Sequence, residues 1–192
     1  MIVEHLGRKP QIAEGVFVAP TAVIIGDVTI GEGSSIWYGA VLRGDFGKIV
    51  IGKNTSIQDN VVVHTNLTAP AIVGDNVTIA HGAILHSAKI ENGAVIGINA
   101  VVLDEAVVGE QSMVAAGSVV SGGTSIPAGW LAAGVPAVPK KELSGEALNY
   151  VNISSMAYSR MAGTYLDQGL DFFSQAAGIA GLKPESGNQN SE

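Results

Sequence analysis

The chain carries four histidines and no cysteine, and three of the histidines, His64, His81 and His86, fall in one short stretch. Without thiols there are no disulfides, no thiolate nucleophile and no Cys-rich zinc or iron–sulfur site. A metal here has to be held by imidazole and carboxylate. Three neutral imidazoles around a divalent ion with an open fourth position form a hydrolytic centre, because bound water is acidified toward neutrality. His5 stands apart and reads as a solvated side chain.

Whether the three rings can meet depends on the elements that carry them. Stepping by six from Val18 gives Ile24, Ile30, Ile36 and Leu42; after Phe46-Gly-Lys48 the series resumes at Ile51, Ile57 and Val63. After Leu67-Thr-Ala-Pro70 it runs through Val73, Ile79 and Leu85, drops one residue, and continues from Ile90 by sixes to Ile126. A six-residue period is neither helical nor that of a simple hairpin. It predicts a short strand plus a corner, with the marked aliphatic inward and Gly, Asn or Asp at the bend, as in Gly52-Lys-Asn54 and Gly74-Asp-Asn76. Three such units close a triangular coil, and stacked coils bury one aliphatic column.

This periodicity converts sequence position into place. His64 follows Val63, and His86 follows Leu85, one full coil later. The two should stack on adjacent coils about 4.8 Å apart. His81 belongs to the preceding corner, and five extended residues span up to ~16 Å. A site shared with the stacked pair therefore calls for His81 of a neighbouring subunit around a threefold axis. By the same count Arg43 stacks below His64 and Asp59 below His81, so Arg43 of one subunit should face Asp59 of the next. Spacing alone reads both as structural residues, and it assigns no role to Gln58.

Residues 1–142 are thus expected to form the repeat domain, 143–175 a C-terminal helix along the prism, and 176–192 a polar, disordered tail. Ser144 is placed to cap the helix, and Gly163 is a candidate interruption. Among 192 residues, 47% are apolar but only 5% aromatic, and no run reaches the ~18–20 apolar residues of a membrane span. Ten Lys and Arg against seventeen Asp and Glu, net −7, is the wrong sign for neutralising phosphates, so nucleic acid is excluded as an expected partner. Met1 to Pro10 lacks the order of segments of a secretory signal, which predicts a cytoplasmic protein with no membrane partner.

Arg43-Gly-Asp45, Gln58-Asp59-Asn60-Val-Val-Val-His64 and Ala80-His81-Gly-Ala-Ile-Leu-His86, with the closing Gly134-Val-Pro-Ala137, resemble the gamma-class carbonic anhydrase family of hexapeptide-repeat proteins over residues 10–170. The resemblance implies an all-β solenoid, a left-handed parallel β-helix of hexapeptide repeats with a C-terminal α-helix, assembled as a homotrimer with metal at each interface. It implies that His64, His81 and His86 are the metal ligands, that Gln58 orients the metal-bound water, that Arg43, Asp45 and Asp59 form an interface ion-pair cluster, and that Tyr158 lies over the site. Phe46 stands where the well-characterised enzymes of the family carry a glutamate, and Thr65–Pro70 lacks their acidic proton-shuttle loop.

The expected function is reversible hydration of CO2 to bicarbonate by zinc-bound hydroxide, with Fe2+ or Co2+ able to occupy the same ligands. Two other functions stay open. One is an acyl-CoA-handling protein, a thioesterase or hexapeptide acyltransferase, the latter needing only one catalytic His and a pantetheine groove. The other is a non-catalytic, metal-dependent trimeric scaffold.

Overall fold

The structure, a computed structural model, describes residues 1–181 and is a left-handed parallel β-helix of about seven turns. Strands run from Ile2 to Glu142. The register stacks the six-residue series into three columns. Ile24, Leu42, Val63, Leu85, Val102 and Val120 line one face. Ile12, Ile30, Ile51, Val73, Ile90, Val108 and Ile126 line the second. Val18, Ile36, Ile57, Ile79, Ile96, Val114 and Ala132 line the third. Every aliphatic of the series from Val18 to Ile126 is buried. A full column is worth burying because each such side chain gains about 1.5–3 kcal/mol on leaving water.

Corners recur where the chain turns left-handed. Asn54, Asn60, Asn76 and Asn99 have φ between 50° and 58°, a region Asn tolerates because its short amide bonds locally. The ladder ends where Trp130–Gly134 pairs antiparallel with Ala137–Glu142.

The C-terminal segment differs from the single helix expected over 143–175. Helix α1, Gly145–Asp167, passes through Gly163 without a break, and α2, Phe172–Gly181, follows it. One helical Gly costs about 1 kcal/mol, which the packing of Tyr158, Ala162, Tyr165 and Leu166 on the prism offsets. The chain turns instead at Gly169, φ +64°, and Asp171 opens α2 by accepting from Phe173 N at 2.9 Å and Ser174 N at 3.1 Å. Ser144 occupies the N-cap of α1 in extended conformation but makes no side-chain capping bond. Residues 176–181 belong to α2 rather than to a disordered tail, because Phe172 packs against the core and Asp171 starts a new helix. The remainder of that expected tail, 182–192, lies outside the described residues.

Helix α1 lies on the third face, where small polar side chains let it approach. Thr78 Oγ1 meets Ser154 Oγ at 3.0 Å. Tyr165 packs edge-on against Phe17 and Trp37, with ring centroids 5.4 and 5.2 Å apart. This packing delivers Tyr158 to the corner that holds His81.

Candidate metal centre

His64 ends the strand Val62–His64, His86 ends Ile84–His86, and the register pairs them directly. Their rings emerge side by side, with His64 Nδ1 3.2 Å from His86 Nε2. Arg43 continues the column one coil below, paired with His64.

Both outer ring nitrogens are engaged by carboxylates. His64 Nε2 lies 2.9 Å from Asp45 Oδ1, and His86 Nδ1 lies 2.8 Å from Asp104 Oδ1. A carboxylate only accepts, so each neutral ring carries its proton on that side and turns a lone pair toward the other ring. Two lone pairs facing at 3.2 Å repel unless a proton or a metal cation lies between them. In a tetrahedral zinc site with 2.0–2.1 Å bonds, two ligand nitrogens stand about 3.3 Å apart. The donor set and its spacing fit zinc.

The carboxylates are themselves held. Arg43 Nη1 donates to Asp45 Oδ2 at 2.6 Å, and Phe46 N donates to Asp45 Oδ1 at 3.0 Å. Burial opposes ionisation of Asp45, but hydrogen bonds from Arg43 and His64 outweigh it and keep the carboxyl below its ordinary pKa. Asp104 is lowered in the same manner: desolvation raises it, and the hydrogen bonds from His86 and the Asn66 amide prevail. Below the pair two backbones touch, and a Cβ on Gly44 would lie 2.6 Å from Asp27 O, so only glycine fits there.

His81 sits at another corner, after the strand Thr78–Ile79. Its Nδ1 lies 2.8 Å from Asp59 Oδ2, and the Tyr158 hydroxyl stands 3.3 Å from its Nε2. Its backbone N–H donates to Oε1 of buried Gln58 at 3.3 Å. Trp37 steadies Tyr158 edge-on, centroids 5.7 Å apart. Burial, then Tyr150 and Asp59, push the Tyr158 hydroxyl pKa up, so it stays a neutral donor.

One chain therefore collects Arg43, Asp45, His64 and His86 at one end of a face and Gln58, Asp59, His81 and Tyr158 at the corner before it. Among the described residues, no three His, Asp or Glu side chains of a single chain converge to hold a metal. Arg43, expected to face Asp59 across an interface, ends within the chain on Asp45, and Asp59 ends on His81. Positions 43 and 45 point to the same side of one strand, which puts that local pair within reach. Sequence spacing did not single out Asp104 or Asn66. Val102 stacks on Leu85, so the coil count places Asp104 opposite Ser87, next to His86; Asn66 reaches Asp104 through a loop that has no period.

With the geometry in view, the relatives can be placed. The chain is 42% identical over 190 residues to gamma carbonic anhydrase 2, mitochondrial, of Arabidopsis thaliana, covering 91% of this chain and 68% of that protein. It is 47% identical over 144 residues to a carbonic anhydrase of Geobacillus kaustophilus, covering 75% and 79% of the two chains.

The chain belongs to the gamma carbonic anhydrase family.

The bacterial transferase hexapeptide (six repeats) family model matches residues 9–44 and 87–122, within the coils of this gamma carbonic anhydrase fold. Among solved structures, a hexapeptide transferase family protein from Anaplasma phagocytophilum superposes with TM-score 0.83 at 42% identity, covering 86% of this chain and 98% of that one.

Proposed function

We propose that this gamma carbonic anhydrase family member is a zinc enzyme for reversible hydration of CO2 to bicarbonate, working as a homotrimer with one metal at each subunit interface. The observation that carries the reading is the His64–His86 pair, two ring nitrogens 3.2 Å apart with a carboxylate behind each ring. The names of the relatives support the substrate.

His64 and His86 of one subunit and His81 of the next would hold the ion, and Fe2+ or Co2+ suits the same imidazoles. When bound, the ion would supply Lewis acidity that lowers the pKa of water toward neutrality. The chain's own side chains do the positioning. Asp45 fixes His64, and Gln58 anchors the His81 backbone. Asp59 holds the Nδ1 side of His81, so that Nε2, which meets the Tyr158 hydroxyl in the lone chain, is the nitrogen a metal would take. Arg43 holds Asp45 and, half exposed, remains able to reach a neighbouring subunit. Phe46, its ring centroid 5.6 Å from that of His64, gives the site an apolar flank suited to CO2. Phe46 leaves no acid at that position, and a proton released in hydration would then have to leave by solvent buffer or another relay.

The deciding experiment is metal analysis of anaerobically purified protein followed by a CO2 hydration assay. One metal per chain and hydration that chelation abolishes are expected; metal-free native protein without activity contradicts the reading. The likeness to the Anaplasma transferase family protein favours acyl-CoA handling as a second reading. A CoA-resin pull-down with and without chelator separates the two, since a transferase needs no metal. No helix of the described residues is long and apolar enough to cross a membrane. A cytoplasmic location is part of this proposal, and a fluorescent fusion tests it.

A further inference from the structure

We propose that Asp104, braced by Asn66, is a positioning residue that fixes the His86 ring for metal binding, an inference resting on the reading of His86 as a ligand. Asp104 Oδ1 stands 2.8 Å from His86 Nδ1 and also accepts from Asn66 Nδ2. With its proton held at Nδ1, His86 presents Nε2, the nitrogen that faces His64. A carboxylate behind a ligating imidazole locks tautomer and ring angle and makes the ring a stronger donor.

The brace explains what the short loop after His64 does. Asn66 Oδ1 accepts from Thr68 N at 2.9 Å, Ala69 N at 2.8 Å and Thr68 Oγ1 at 3.0 Å. Its backbone N–H donates to Ser87 Oγ at 2.7 Å, and that hydroxyl donates onward to Ala69 O at 2.8 Å. The Asn66 oxygen thus closes the loop while its amide nitrogen is left for Asp104, 38 residues away in sequence. Asp104 is only half buried, so without the brace its side chain would sample several rotamers. Residues 65–70 carry no acid of their own; they hold one contributed by the second coil above.

The test measures zinc affinity of the full chain by competition with a chromogenic chelator, together with the cobalt absorption spectrum and the melting temperature of the metal-free protein. Asp104→Ala should weaken zinc binding 10- to 100-fold, alter the cobalt bands, and leave metal-free melting unchanged. Asp104→Asn, which still accepts from Nδ1–H but lacks charge, should recover part of the loss. Asn66→Ala should weaken binding several-fold with Asp104 intact, and it serves as the test if Asp104→Ala does not fold. Affinity within twofold of the parent in Asp104→Ala, or in Asn66→Ala where the first is unfolded, overturns the proposal while leaving the ligand reading standing. Failure of the parent to bind zinc or cobalt overturns both.

Discussion

His64 Nδ1 and His86 Nε2 face each other at 3.2 Å across two adjacent coils, each ring backed by an aspartate that does not belong to the other. Parallel register alone brings the rings together; the aspartates decide which nitrogens meet. The proposed cation site would thus lie in the wall of a prism whose coils otherwise serve packing.

Arg43→Ala removes the 2.6 Å bond to Asp45 and the guanidinium proposed to meet the next subunit. Subunit association should weaken by about 1 kcal/mol, the scale of a partly exposed ion pair. Sedimentation over a dilution series checks this: dissociation at higher concentration than the parent is expected, and an unchanged trimer at high dilution removes the interface role.

Gln58→Ala should lower CO2 hydration about tenfold or more with metal content reduced far less. Its Oε1 holds the His81 backbone at 3.3 Å, a neutral bond worth about 1 kcal/mol, too little to empty the site. Loss of metal in step with activity would move Gln58 from orienting to structural.

Phe46→Glu places a carboxyl beside His64. If proton release to buffer limits the parent, its turnover should rise with buffer concentration, and the variant should be faster and less buffer-dependent at low buffer. Equal buffer dependence in both proteins contradicts that assignment of the proton path.

Asp171, buried at the start of α2, should make stability pH-dependent. Burial raises its pKa, but the bonds from Ser174 and Phe173 prevail and the folded value lies below the ordinary one. A group depressed on folding contributes its stability above the unfolded pKa and loses it as pH falls through the folded pKa. Thermal melts should therefore fall on acidification below about pH 4, and Asp171→Ala should cost about 1 kcal/mol while flattening that part of the profile. Parallel profiles for parent and variant would show that Asp171 is not the group responsible.

The prism was legible because a six-residue period has one physical outcome. Val63 and Leu85 are one coil apart by count, and they are neighbours by register. The same arithmetic put His81 on another corner. What resisted reading had no period. Gly163 looked like a break, yet helix continuity there is decided by Tyr158, Ala162 and Tyr165 packing on the prism. Asn66 reaches Asp104 only through the fold of residues 65–70. Asp45 was carried by resemblance, and its bond to His64 follows from a side-chain direction that strand alternation fixes.

The most direct test mixes ligand variants. His81→Ala and His86→Ala homotrimers should each be inactive, since every interface lacks one ligand. Unfolded together and refolded as mixed trimers, they form interfaces in which the stacked pair of a His81→Ala chain meets the His81 of a His86→Ala chain. Metal binding and hydration should partly return in that mixture, and should stay absent when His64→Ala is mixed with His86→Ala, whose defects lie on the same side of every interface. Confirmed mixed trimers of the first pair that bind no metal and hydrate no CO2 would contradict a site shared between subunits.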